Sequence, residues 1–144
     1  MDNRKLAESV LEKGYLMSLG TVDDGGVWVS DVIYVHDSEF NIYWISRGDT
    51  RHSKAIENNP NVAGTITVSN DPREKDLGLQ IAGIAEKVDG YLPILTVEYY
   101  IKRRRPLLKS AAEILKGGTS WYKLKPTMVE LICEELFDHE KQII

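Results

Sequence analysis

A series of short β-type segments separated by turns constrains the fold of this chain more than any other sequence feature. Residues 15–21 and 27–36 are rich in aliphatic, β-branched and aromatic side chains, and the sequence Asp-Asp-Gly-Gly at 23–26 lies between them. Aspartate and glycine accept the backbone angles of tight turns, so this pattern predicts a β-hairpin. Consecutive strands of this kind predict an antiparallel sheet.

The other segments complete the predicted element order. Helices are predicted at 2–13, 51–58 and 93–115, the last broken at Pro106, and further strands at 40–46, 61–69, 77–88, 120–125 and 128–137. Gly78 and Gly83 predict a bulge or a close backbone approach within their strand. About seven antiparallel strands close best as a barrel, so we expect a mainly β, antiparallel barrel with peripheral helices.

The second predicted strand is apolar on both faces. One face carries Val27, Val29, Ile33 and Val35, and the other face carries Trp28, Val32 and Tyr34. A barrel buries only one face of each strand in its own core. The second face needs helices or a second subunit to cover it, so we expect a homodimer.

Composition narrows the possible partners and compartments. The 144 residues suit a single domain over 1–144, and a net charge of −4 disfavours nucleic acid as a partner. No apolar run approaches the roughly 18 residues of a membrane span. The single cysteine, Cys133, suits a reducing cytoplasmic compartment. The three histidines lie far apart without metal-ligand spacing, so no metal site is predicted.

The segment from 40 to 60 carries the most informative chemistry. A predicted strand leads through a short loop into a helix that opens with Thr50, Arg51 and His52 and stops at Asn59-Pro60. Free N–H groups at a helix start, beside a guanidinium and an imidazole, suit a phosphate. The alternative is a surface helix that Thr50 or Asp49 caps and whose basic side chains are solvated. Spacing alone favours the surface helix.

The sequence Thr-Arg-His-Ser-Lys-Ala-Ile-Glu-Asn-Asn-Pro at 50–60 resembles the flavin-phosphate segment of the pyridoxamine-5′-phosphate-oxidase-like, FMN-binding split-barrel superfamily. That family has an aromatic-containing strand, then Ser-Arg-Lys or a variant, then a helix ending in Asn-Pro. Residues 80–86 resemble its glycine-containing strand, and residues 121–127 resemble its final hairpin. The resemblance implies an antiparallel split β-barrel that forms a homodimer, with FMN at the dimer interface.

The resemblance also implies a set of cofactor-binding residues. The phosphate would be bound by Thr50, Arg51 and His52, and the ribityl chain would lie along Trp44 and Ile45. The isoalloxazine ring would lie along Ser30, Asp31 and Val32. Gln80 would hydrogen-bond the ring edge, and Trp121 would reach the flavin of the partner subunit. His52 stands where the family commonly has lysine. The paired arginine and histidine that grip the vitamin phosphate have no counterpart near the C-terminus, so we do not expect pyridoxamine-5′-phosphate oxidase activity.

The implied function is flavin-dependent redox chemistry on a small-molecule substrate, or with an electron donor such as a nicotinamide cofactor. A non-catalytic flavin carrier or sensor is one alternative, and a haem-binding or haem-degrading protein is another. A deazaflavin could also replace FMN. No side chain is identifiable as a general acid or base, so catalytic residues stay unassigned.

One sequence feature stands apart from these assignments. The basic run Lys-Arg-Arg-Arg at 102–105 is interpreted as the solvated end of a helix, where positive charge is favourable. An arginine from this run facing the flavin pocket and holding an anionic substrate is a further option.

Overall fold

The computed structural model describes residues 2–106 and 111–144, and its strands confirm the predicted antiparallel barrel. The strands of these ranges are β1 (Leu16–Asp23), β2 (Gly26–His36), β3 (Ile42–Arg47), β4 (Asn61–Thr67), β5 (Leu77–Val88), β6 (Thr119–Cys133) and β7 (Gln142–Ile143). They are hydrogen-bonded in the order β3-β2-β1-β4-β5-β6-β7. Pairing of β3 with β6 closes the first six into a barrel, and β7 adds to the edge of β6.

The helices lie around this barrel. They are α1 (Asn3–Lys13), α2 (Arg51–Asn58), α3 (Pro93–Arg103), a 3-10 turn (Ala111–Leu115) and α4 (Glu134–Phe137). None of the helices in the described ranges is long and apolar enough to cross a membrane.

The barrel core follows from the alternation of side chains along each strand. In β1, Met17 and Leu19 point inward and are fully buried, whereas Gly20 faces outward. Trp44 of β3 and Tyr122 of β6 stack at the centre with ring centroids 6.0 Å apart. The buried face of α1 joins the same core.

The predicted hairpin between β1 and β2 is confirmed. Asp23 pairs with Gly26, and Gly26 has a φ of +107°, which a side chain would strain. The Gly25 N–H donates to the Asp23 carboxylate at 2.9 Å, so the turn itself orients this aspartate. The position of Asp23 is therefore fixed by local sequence.

The prediction of two strands at 120–125 and 128–137, with a hairpin between them, is wrong. A single strand, β6, runs through this region and pairs with β5 from Trp121 to Cys133. Pro126 lacks the N–H that a regular ladder needs, and the register shifts there, opposite Ala82 and Gly83. A Cβ at Gly83 would collide with the Lys125 carbonyl oxygen. The predicted bulge and close approach at Gly83 are thus confirmed.

Two other predicted boundaries are also wrong. The predicted break near Pro106 is present, but the first helix ends earlier, at Arg103, because Arg104 adopts a left-handed conformation (φ +55°). The second helical segment is the 3-10 turn Ala111–Leu115, and residues 107–110 of the prediction lie outside the described residues. The strand predicted to reach 137 ends at Cys133, where α4 begins. The short strand β7 was not predicted.

Among the residues that the structure describes, helices cover one side of the outer surface of the barrel. There α3 and the 3-10 turn pack on Val35 and Trp121. On the other side a row of small and apolar residues crosses five strands in register, here named the open sheet face: Val29, Gly20, Ala63, Ala82 and Met128. A cleft of about 480 Å³ runs along this row.

We predict that Gly83→Ala destabilises the protein by about 1–3 kcal/mol, the usual range for overpacking a tight contact. Gly48→Ala is the matched control, because a Cβ there would meet nothing closer than 3.9 Å. Urea unfolding measures both free energies. Equal stability of the two variants would refute the close packing of β5 on β6.

Candidate functional site

The end of β3 positions the candidate site. Arg47, the last residue of β3, pairs with Thr119 of β6, and the N–H of the following Gly48 donates to the Gly118 carbonyl oxygen at 3.1 Å. The loop that precedes α2 is therefore held by the closing strand of the barrel. This contact fixes where α2 starts.

Thr50 caps α2, as one of the sequence interpretations predicted. Its Oγ1 accepts a hydrogen bond from the Ser53 N–H at 3.3 Å, and its hydroxyl donates to the Arg47 carbonyl oxygen at 3.0 Å. Asp49 does not cap the helix; its carboxylate pairs with the exposed Arg47 guanidinium at 2.8 and 3.0 Å. The N-terminus of α2 is therefore ordered without a carboxylate blocking it.

Arg51 is neither free nor fully solvated. Its Nε and Nη2 donate to the two carboxylate oxygens of Asp23 at 2.8 and 3.0 Å, and its guanidinium lies 4.4 Å from the centre of the Trp28 ring. These bonds use two of the five guanidinium N–H groups. The other three have no acceptor among the described residues. Arg51 is thus a rigid donor group at the start of α2.

His52 is buried beside Arg51, with 9% of its surface exposed. Its Nε2 lies 2.8 Å from the Ser46 hydroxyl oxygen and 3.4 Å from that of Thr50. Burial lowers the pKa of His52 below its ordinary value of 6.5. The imidazole is therefore neutral at pH 7 and does not replace the charge of a lysine.

We define the Arg51 site as Asp23, Trp28, Thr50, Arg51 and His52. Its charges nearly cancel, because Asp23 offsets Arg51 and His52 is neutral. Sequence reasoning missed Asp23 and Trp28 as members of this site. Asp23 is a turn residue by its local pattern, and nothing in that pattern indicates a partner 28 positions away. The site offers N–H donors rather than net positive charge.

Two other predicted residues lie on the outer surface of the barrel. Asp31 accepts a hydrogen bond from the Ser18 hydroxyl at 2.7 Å, and Gln80 is in the same cross-strand row: Asp31, Ser18, Thr65, Gln80 and Glu130. This polar row is next to the open sheet face. Three interstrand spacings, roughly 14 Å, separate Asp31 from Gln80.

The remaining predicted residues are partly or wholly inside the molecule. Val32 is buried, and Ser30 is half-buried. Trp44 is fully buried in the barrel core, and Trp121 is fully buried beneath α3. The half-buried Ile45 of β3 is the cross-strand neighbour of Trp121. Neither indole N–H has a hydrogen-bond partner among the described residues. The structure does not bring the side chains of Trp44 or Trp121 to the Arg51 site.

The basic run at the end of α3 is only partly solvated. The Lys102 ammonium donates to the Leu11 carbonyl oxygen at 3.1 Å and lies 4.0 Å from the centre of the Tyr34 ring. Burial lowers the pKa of Lys102 to about 8, so the solvated interpretation is wrong for this residue. Arg104 and Arg105 are exposed and line a cleft of about 720 Å³ between α1, β2 and α3.

The closed antiparallel barrel, with α2 between β3 and β4, defines a split-barrel protein of the pyridoxamine-5′-phosphate-oxidase-like class. The family model described as pyridoxamine 5′-phosphate oxidase matches residues 4–133. The chain belongs to this family. The resemblance found in the sequence is confirmed.

Two curated relatives are UPF0306 proteins. One, from Pasteurella multocida (strain Pm70), is 32% identical over 74 residues, which are 51% of this chain and 50% of the relative. The other, from Photorhabdus laumondii subsp. laumondii, is 26% identical over 90 residues, which are 62% of this chain and 63% of the relative. The chain thus matches between half and two thirds of the length of these relatives.

Solved structures share the fold at low sequence identity. General Stress Protein 26 from Bacillus anthracis str. Sterne has a TM-score of 0.73 at 17% identity and covers 100% of both chains. An F420 reductase has a TM-score of 0.67 at 21% identity, covering 85% of this chain and 94% of its own. The haem storage protein HutZ from Vibrio cholerae has a TM-score of 0.73 at 16% identity, covering 92% and 96%.

We predict that the free energy of unfolding decreases as the pH falls from 7.5 to 5.5. In the His52→Gln variant we expect this decrease to be smaller. The lowered pKa of His52 means that the unfolded chain binds more protons than the folded chain below about 6.5. Glutamine can still hydrogen-bond Ser46 but does not titrate. His36, whose pKa burial also lowers, accounts for a remaining loss. Urea unfolding at the two pH values measures the difference; an identical loss in both proteins would contradict the prediction.

Proposed function

We propose that the protein binds FMN and acts as a flavin-dependent oxidoreductase, with the FMN phosphate at the start of α2. The observation that carries this proposal is the guanidinium of Arg51, the first residue of α2, which Asp23 and Trp28 hold in place. A phosphate monoester accepts several hydrogen bonds at once, and a helix N-terminus favours negative charge. The residues present therefore fit the phosphate of this cofactor.

The mode of binding follows from the charge balance of the Arg51 site. A hydrogen bond between charged groups contributes roughly 1.5–3 kcal/mol. Asp23 already offsets the charge of Arg51, so the contribution of Arg51 to phosphate binding is expected near the lower end of that range. The Thr50 cap keeps the loop and the helix start in place before the ligand arrives.

The isoalloxazine ring is proposed to lie at an interface between two copies of the chain. Val27 and Val29 of β2 are 73% and 61% exposed, and small residues at the centre of the open sheet face allow a close approach. A second copy would cover this face and bring its own Gln80 toward Asp31. Each copy would therefore contribute only some of the residues that contact a flavin ring, and the second copy would contribute the others.

Bound FMN would supply the transfer of a hydride or of single electrons. The residues of this chain would hold and orient the cofactor, and none is proposed as a general acid or base. The anionic substrate or electron donor is proposed to bind in the cleft that Arg104 and Arg105 line. This cleft adjoins Ile33 of β2, on the same face of the strand as Asp31.

FMN is preferred here to the haem for which HutZ is named. The Arg51 site presents donors that suit a phosphate, and the Nε2 of His52 is buried and already occupied by Ser46. A histidine in that arrangement is poorly placed to bind iron. Titration of haem and of a deazaflavin alongside FMN tests the alternatives.

We predict that Arg51→Ala weakens FMN binding about 10-fold and leaves riboflavin binding unchanged, because riboflavin lacks the phosphate. Fluorescence quenching on titration of both flavins into both proteins gives the affinities. The unaltered riboflavin affinity also serves as a check that the fold is intact.

Arg47→Ala is the matched control for this experiment. Arg47 precedes the same helix, but its side chain is 61% exposed and its guanidinium is paired with Asp49. We expect FMN affinity to change less than two-fold in this variant. If the two variants lose the same affinity, the phosphate is not bound at the Arg51 site.

We predict that the protein is a dimer in solution. Ala82→Glu should convert it to a monomer, because this substitution places a charge on the open sheet face. Ala112→Glu is the control, since Ala112 is exposed in the 3-10 turn away from that face. Light scattering after size-exclusion chromatography measures the mass. A dimeric Ala82→Glu variant would exclude this face as the interface.

A further inference from the structure

The contact between Asp23 and Arg51 is built by several parts of the chain. Asp23 ends β1, Arg51 begins α2, and their side chains are 28% and 37% exposed. The Gly25 N–H also donates to the same carboxylate. A Cβ on Gly25 would approach the Arg51 Nη2 to 2.9 Å, so the turn packs closely against the guanidinium.

This carboxylate stays ionised at neutral pH. The hydrogen bond from Arg51 is the main cause that lowers the pKa of Asp23, and the Gly25 N–H lowers it further. A ligand phosphate that approaches Arg51 therefore meets a full negative charge on the opposite edge of the same guanidinium. The two anions compete for one cation.

We propose that Asp23 is a specificity-determining residue of the Arg51 site, because it reduces the preference of the site for phosphorylated over unphosphorylated ligands. The inference rests on the proposed phosphate site at Arg51. Stacking on Trp28 keeps the guanidinium plane in place when the carboxylate charge is removed. Loss of that charge therefore strengthens phosphate binding rather than releasing the arginine.

Asp23→Asn is the variant that tests this role. Asparagine keeps the shape and one acceptor oxygen but removes the charge. The Asp23 carboxylate and a phosphate on the same guanidinium are like charges, and their repulsion in a largely solvated site corresponds to several-fold in affinity. We expect the ratio of FMN to riboflavin affinity to rise about 3- to 10-fold at low salt, and the gain to shrink at high salt.

Asp24→Asn is the matched control, since it removes the same charge from the neighbouring, exposed residue. We expect it to change the ratio less than two-fold. The double variant Asp23→Asn with Arg51→Ala should lose the gain, because the effect acts through the arginine. A ratio that stays constant or falls in Asp23→Asn, or rises equally in Asp24→Asn, would overturn the proposal.

A second measurement separates this inference from the proposed function. Inorganic phosphate can be titrated while the Arg51 Nε–H signal is followed by NMR, with no flavin present. Tighter phosphate binding in Asp23→Asn supports the role of Asp23 even if no variant binds FMN, in which case only the cofactor assignment fails. Unchanged or weaker phosphate binding at Arg51 overturns the inference.

Discussion

Pairing of β6 with both β3 and β5 is the constraint on which the rest of this structure depends. It closes the sheet, buries Trp44 against Tyr122, and ends in the Gly48 contact that sets the start of α2. The register of β6 with β5 shifts at Pro126, where Gly83 permits close approach. The position of the candidate site is thus a consequence of barrel closure.

The chemistry of the site is set by a balance of charges. Arg51 is paired with Asp23, Arg47 with Asp49, and His52 is kept neutral by burial. A site of this kind recognises an anion through the direction of its N–H groups and the helix start, with little long-range attraction. In the proposed phosphate site, selectivity therefore comes from geometry, and Asp23 limits the electrostatic contribution.

Much of the fold could be predicted from local sequence. The hairpin at 23–26, the helix after Thr50 and the bulge at Gly83 each follow from residue types at adjacent positions. The continuity of β6 could not be predicted, because a proline between two β segments has the same local pattern as a turn. The pairing of Asp23 with Arg51 depends on tertiary contact, and so does the burial of Lys102. Local periodicity carries no information about such contacts.

The decisive measurement is a crystal structure of the protein with bound FMN. We expect the phosphate oxygens at hydrogen-bond distance, about 3 Å, from the Arg51 guanidinium and from the first-turn amides of α2. We also expect the ring between two copies of the open sheet face. FMN bound with its phosphate away from Arg51, while the Asp23 pair stays intact and no ligand contacts α2, would rule out the proposed phosphate site.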